Sequence, residues 1–239
     1  LYGDLTGDSV AEVAVGRLPV RTVAEASEAV RKILAYEAQP ATGRFLLASG
    51  GQDLELGLDF RAATTGFAAT LPPAWAQTRV DVDTLGAAAA RLALIDGINF
   101  GQSVISYTGH SGPIQWGFEP LLTASQVSAL PANANQPFLL QFGCWTTYFA
   151  SPVTLTMGNA WMLTPNAGAS GVLGATVLLD QPNHDALAAA LGPRLQSGHR
   201  LGDAVEAARR ALAPALPLHG GSEVLAGITL LGDPAMPLR

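Results

Sequence analysis

The sequence predicts an α/β domain of three layers, a mostly parallel sheet with helices on both faces. Short runs rich in Val, Ile, Leu and Phe recur along the chain, and their lack of polar alternation marks strands buried on both faces. Between them lie Ala-rich stretches with apolar residues at helical spacing. Strand and helix in alternation build a parallel sheet through right-handed crossovers. At 239 residues with 49% hydrophobic content, one large core forms without cross-links.

The opening segment Gly3-Asp4-Leu5-Thr6-Gly7-Asp8-Ser9-Val10-Ala11-Glu12 sets three carboxylates around two glycines. It lacks the twelve-residue EF-hand pattern, so a turn is the expected reading and no cofactor is called for, with a structural calcium ion as the alternative. The first strand is expected at Glu12 to Val15. Glu12 either is exposed at its start or orients a partner, and the residues alone do not choose.

Further strands are expected at Phe45 to Ser49, Ser103 to Tyr107, Phe138 to Phe142, Gly171 to Leu178 and Ile228 to Leu231. Helices are expected at Val23 to Ala38, Leu58 to Thr70, Leu85 to Phe100, Asp185 to Leu195 and Leu201 to Leu212. Thr22 and Glu25 stand at capping-box spacing before the first helix, which ends ahead of Pro40. Pro72-Pro73 and the stretch from Pro131 to Pro137 read as surface connections. There is no repeat, long linker or low-complexity tail, so one domain is expected.

Composition excludes several function classes. A net charge of −6 with a single lysine, Lys32, leaves no basic cluster to neutralise phosphates, so no nucleic acid is expected as a partner. Polar residues interrupt every apolar stretch before the roughly 20 residues a membrane span needs. One cysteine, Cys144, excludes an internal disulfide and a thiolate zinc cluster.

Ligands of open parallel sheets bind beyond the carboxyl ends of the strands, and two polar motifs stand there. Ser103 to Tyr107 runs into Thr108-Gly109-His110-Ser111-Gly112, and Phe138 to Phe142 runs into Gly143-Cys144-Trp145-Thr146-Thr147. If the two strands are parallel neighbours, His110 and Cys144 emerge side by side. An imidazole beside a thiol takes its proton as attack begins, and the small residues around both leave room for a substrate carbonyl and for oxyanion donors. The competing reading is a lone Cys used for packing. His184, His199 and His219 sit in less suggestive settings and read as solvated. Trp145, Tyr148, Phe149 and Trp161 read as packing, whereas Trp116, on the histidine's own loop, reads as a groove wall.

In order along the chain, Tyr2-Gly3-Asp4-Leu5, Ala11-Glu12-Val13 through Gly16-Arg17, Tyr107-Thr108-Gly109-His110 with Trp116-Gly117, Gly143-Cys144 with Phe149, and Leu231-Gly232-Asp233-Pro234 resemble the gingipain-type cysteine peptidases, peptidase family C25. The resemblance implies a caspase-like fold and an endopeptidase with a His110-Cys144 dyad and no metal. It sets Glu12 as the orienting carboxylate and the amides of Ser111 and Cys144 as the oxyanion hole. Glu25 falls near the family's acidic specificity residue, although its capping role needs no substrate.

Two departures are visible. The family commonly has His-Gly-Ser where this chain has His-Ser-Gly, and Leu179-Asp180-Gln181-Pro182-Asn183 lacks the pocket tryptophan of the arginine-specific enzymes. They motivate a non-catalytic scaffold as the alternative, and a transpeptidase on surface proteins is a third reading. The resemblance further implies a peptide or protein substrate, a catalytic portion of a longer bacterial chain with an upstream subdomain or prodomain, and a secreted or cell-surface setting.

Overall fold

The computed structural model describes residues 2–7, 10–133, 135–151, 154–215 and 221–239. Its centre is a six-stranded sheet in the order β2-β1-β3-β7-β8-β9, formed by β1 (Arg44–Ser49), β2 (Ala76–Asp81), β3 (Val104–Thr108), β7 (Phe138–Phe142), β8 (Gly171–Ala175) and β9 (Ile228–Leu231). The first five run parallel and β9 runs antiparallel to β8. A small antiparallel sheet of β4 (Ser111–Gly112), β5 (Gln115–Trp116) and β6 (Leu122–Thr123) projects from the end of β3.

Alternation along each strand divides the interior into two cores. Phe45 and Leu47 of β1, with Phe138, Leu140 and Phe142 of β7, face α1 (Val23–Ala38), α2 (Phe60–Thr70), α7 (Gln181–Leu191), α8 (Leu201–Leu212) and α9 (Gly221–Gly227). Leu46 and Ala48, with Ile105, Tyr107 and Leu139, face α4 (Ala87–Asn99), α5 (Ala124–Ser128) and α6 (Met157–Leu163). Each fully buried Leu or Phe contributes about 2 kcal/mol to this packing. The expected three layers are present.

Several boundaries differ from expectation for identifiable reasons. Glu12 to Val15 is no strand: the segment is an extended strap, with Val13 and Val15 exposed, that meets the sheet where Arg17 bridges Leu231. Gly86, with a φ of 77°, separates the short helix α3 (Val82–Leu85) from α4, so the expected helix starts at Ala87 instead of Leu85. The edge strand β2 is mostly polar on its exposed residues, so periodicity gives it no signal. The strand expected through Leu178 stops at Ala175. Asp180 then caps α7 through Asn183 N at 3.0 Å, starting that helix at Gln181 instead of Asp185.

Among the described residues, two basic side chains are buried. Lys32 is fully enclosed and donates to the carbonyls of Trp161 (3.1 Å) and Met162 (3.0 Å) at the end of α6, and burial pulls its ammonium down to about 7. His184, expected in solvent, is buried on the same face of α7 as Leu187, Ala188 and Leu191, and neither ring nitrogen has a hydrogen-bond partner. Burial holds it near 4. The expected solvation of His219 lies outside the described residues. No described helix is long and apolar enough to cross a membrane.

Candidate active site

The chain runs from β1 through α2 to β2 on one side, then returns through α4 to β3 on the other side of β1. Its connections therefore leave opposite faces of the sheet, and a crevice opens beyond the carboxyl ends of β1 and β3. Gly50-Gly51-Gln52-Asp53 leaves β1 into this crevice and Gly109-His110 leaves β3. There His110 Nε2 meets Asp53 Oδ2 at 2.8 Å.

Side chains clamp the imidazole on more than one side. Phe60, the first residue of α2, packs edge-on at 5.0 Å between centroids, and Phe118 stacks on it at 4.3 Å. Asp53 also accepts Leu56 N at 2.9 Å. That amide and the imidazole hold its carboxyl below the ordinary aspartate value. The backbone beneath is fixed as well, since the His110 carbonyl accepts Tyr107 Oη at 2.7 Å and Gly117 N at 2.7 Å.

β3 and β7 are parallel neighbours with Thr108 opposite Phe142, so His110 and Cys144 each stand two residues past a paired position. Their loops are tied directly. Gly109 N donates to Phe142 O at 3.2 Å, and Ser111 Oγ donates to Cys144 O at 2.8 Å. A Cβ on Gly143 would collide with Ser111 Oγ and the Gly109 carbonyl, so only glycine permits this approach. Cys144 is partly exposed, and its Sγ donates to Leu179 O at 3.3 Å.

The next residue, Trp145, has a left-handed φ of 60°, a conformation costing a bulky side chain about 1–2 kcal/mol. Its amide to Val177 O (3.2 Å) and the edge-on ring of Tyr148 (5.3 Å) hold it there. This sharp turn lifts Cys144 out of the strand line and leaves the thiol partly exposed.

The family model for peptidase family C25 matches residues 1–239. The chain belongs to peptidase family C25. Its caspase-like fold matches that of the Porphyromonas gingivalis RgpB pro- and mature-domain complex, with a TM-score of 0.81 and 19% identity over all of this C25 chain and 60% of that one. The Arg-specific cysteine proteinase gingipain R (RgpB) matches with a TM-score of 0.81 and 19% identity, over 100% of this chain and 58% of its own. A third structure, described as a protease, gives 0.80 and 17% over 99% and 58%. The chain thus spans about three fifths of the length of these gingipain structures. No curated protein sequence matches it.

Three of the expected site residues come together and three do not. His110, Ser111 and Cys144 share one junction. Glu12 lies on the exposed strap near the β9 edge, where it accepts Leu5 N at 2.6 Å and Thr6 Oγ1 at 3.0 Å. The carboxylate that meets His110 is Asp53, because the strap never enters the sheet. Trp116 is no groove wall: it is fully buried, stacked on Tyr107 at 4.4 Å, with Nε1 donating to Gln141 Oε1 at 2.7 Å. It anchors the histidine loop from below.

Glu25 completes the capping box with Thr22 and pairs with Arg21 at 2.9 Å, which accounts for its carboxylate locally. Asp53 lies four residues past β1, farther from its strand end than His110 and Cys144 lie from theirs. The resemblance directs attention to Glu12 instead. Among the described residues no group of three His, Cys, Asp or Glu side chains is arranged to hold a metal.

Proposed function

We propose that the protein is a cysteine endopeptidase in which Cys144 is the nucleophile, His110 its base and Asp53 the carboxylate that orients the base. The observation that carries this reading is the Asp53-His110 pair at 2.8 Å, held beside the cysteine turn by the Ser111-Cys144 hydrogen bond. His110 takes the thiol proton, and the thiolate attacks the scissile carbonyl carbon. The amides of Ser111 and Cys144 donate to the resulting oxyanion. As the C–N bond breaks, the imidazolium gives its proton to the leaving amine. Water, deprotonated by His110, then hydrolyses the thioester and restores the thiol.

Asp53 contributes by keeping the imidazole in one orientation and stabilising its cationic form. The His-Ser-Gly order fits this reading, since Ser111 adds a side-chain tie while its backbone amide stays available in type. Action on proteins outside the cell, and an upstream prodomain or subdomain as a partner, belong to the same proposal. Their support is family membership and the RgpB structure that joins pro- and mature domains.

The test is turnover of a mixed peptide library, with covalent labelling by a peptidyl acyloxymethyl ketone. Cys144→Ala is expected to abolish both, and His110→Ala to lower turnover by about 10²–10⁴-fold. Equal turnover by parent and Cys144→Ala protein would sink the proposal. Neither labelling nor turnover in the parent would leave the non-catalytic scaffold. An added amine that captures the acyl group in place of water would indicate transpeptidation.

A further inference from the structure

On the β1 side of His110, away from Cys144, the crevice opens into a cleft of about 470 Å³. Asp53 and His110 themselves form part of its lining, so the cleft is continuous with the site. Beyond them its wall includes Leu54, Glu55, Phe118 and Glu119. Resting on the peptidase reading above, the chemistry of the dyad assigns this space. The acyl carbon must sit at Cys144 Sγ and the departing nitrogen must sit at His110, which protonates it. A peptide laid across the pair therefore runs from acyl half to amine half in the direction of the cleft.

We propose that this cleft is the leaving-group subsite and that it selects a lysine or arginine immediately after the scissile bond. Phe118 is 77% exposed while its ring lies against the imidazole, so it offers an aromatic face directly beside the departing amine. Leu54, 81% exposed, adds a second apolar surface. A long basic side chain lays its methylene stem on such surfaces and its cation over an aromatic face.

The ends of the cleft fit the same occupant. Glu55 and Glu119 are exposed, and neither forms an ion pair among the described residues. Among the described residues, no Lys or Arg lines the cleft. Arg91, which approaches Leu121 at its border, directs its guanidinium to the carbonyls of Pro120 and Leu121. A cation entering the cleft thus meets the Glu55 and Glu119 carboxylates, while the imidazolium charge formed at His110 is offset by Asp53 at 2.8 Å, and an acidic side chain is repelled.

The test holds the acyl half of an internally quenched peptide constant, at the sequence favoured in the library, and places Lys, Arg, Ala or Glu after the cleaved bond. At low salt, kcat/KM for Lys and Arg is expected to exceed that for Glu by about fivefold to tenfold, the scale of two exposed ion pairs. The ratio should shrink as ionic strength rises, because exposed charges are screened. In Glu55→Gln/Glu119→Gln protein it should fall below about twofold. Equal cleavage of the Lys and Glu peptides by the parent, or a ratio kept in the double variant, overturns the subsite. Failure to cleave any of the peptides overturns the peptidase reading together with it.

Discussion

The two loops that meet at the candidate site are held in different ways. The histidine loop is fixed through side chains, with Asp53, Phe60 and Phe118 against the ring and the buried Trp116 and Tyr107 beneath. The cysteine loop is fixed through its backbone, by the strained turn at Trp145, the Trp145 amide donating to Val177 O and the Ser111 hydroxyl donating to Cys144 O, and the thiol has one hydrogen bond. A base must keep one ring orientation to pass a proton in a fixed direction. A nucleophile must leave its resting contact to form a new bond. The difference matches those two demands.

The sharpest way to break the comparison is to remove the clamp from the imidazole. Asp53→Asn is expected to lower kcat by up to about 10⁴-fold with little change in KM, as loss of an orienting carboxylate does. Glu12→Gln should stay within about twofold of the parent, and steady-state kinetics on one peptide checks both. A larger loss in the Glu12 variant would return the orienting role to the strap. The Asp53 carboxyl lies below its ordinary 3.8, so its ionised contribution is present above that value and fades only as pH falls through the lowered one. No loss from this group is expected between pH 5 and 8.

A smaller effect tests the tie between the loops. Ser111→Ala removes a hydrogen bond worth about 1 kcal/mol and should reduce kcat by about fivefold. The alkylation rate of Cys144 should change alongside it while the thermal midpoint moves little. Unchanged alkylation and turnover would show that the backbone contacts alone set the relative position of the loops.

Much of the site could be read from the residues because chemistry concentrates at strand ends, and β3 and β7 have apolar runs that announce themselves. Asp53 was harder, since it lies four residues past β1 in an exposed turn and pairs with His110 only through tertiary placement. The order β2-β1-β3 creates that meeting, and strand order is not encoded in periodicity. β2 was missed for a related reason: its face toward solvent is polar and its burial comes from one side. Trp116 was misplaced because loop membership says nothing about whether a side chain turns toward solvent or into the core.

A separate effect, on stability and not on turnover, concerns the packing behind the cysteine loop. His184 stands one turn into α7, just after the Leu179 carbonyl that accepts the thiol. Its buried imidazole titrates near 4 in the folded protein and near 6.5 in the unfolded chain. Between those values the unfolded state binds more protons, so stability rises with pH across that window and falls on acidification. His184→Leu should flatten this part of the urea-midpoint profile relative to the parent, by up to roughly 3 kcal/mol. An identical slope in both proteins would refute the buried-neutral assignment.

The strap has a consequence for how the chain acquires its structure. Arg17 donates its amide to Leu230 O and accepts from Gly232 N, while Arg210 reaches the carbonyls of Ala11 and Glu12. The strap thus finds its partners far along the sequence, with Arg210 standing 199 residues beyond Ala11. Closing so long a loop is slow relative to local contacts. The strap also covers the outer edge of β9 at Arg17, where an unpaired strand would otherwise recruit a neighbouring molecule. Without β9 the strap would lose its partner and the edge of β8 would be bare, so the pairing of that strand is what keeps the sheet from self-association.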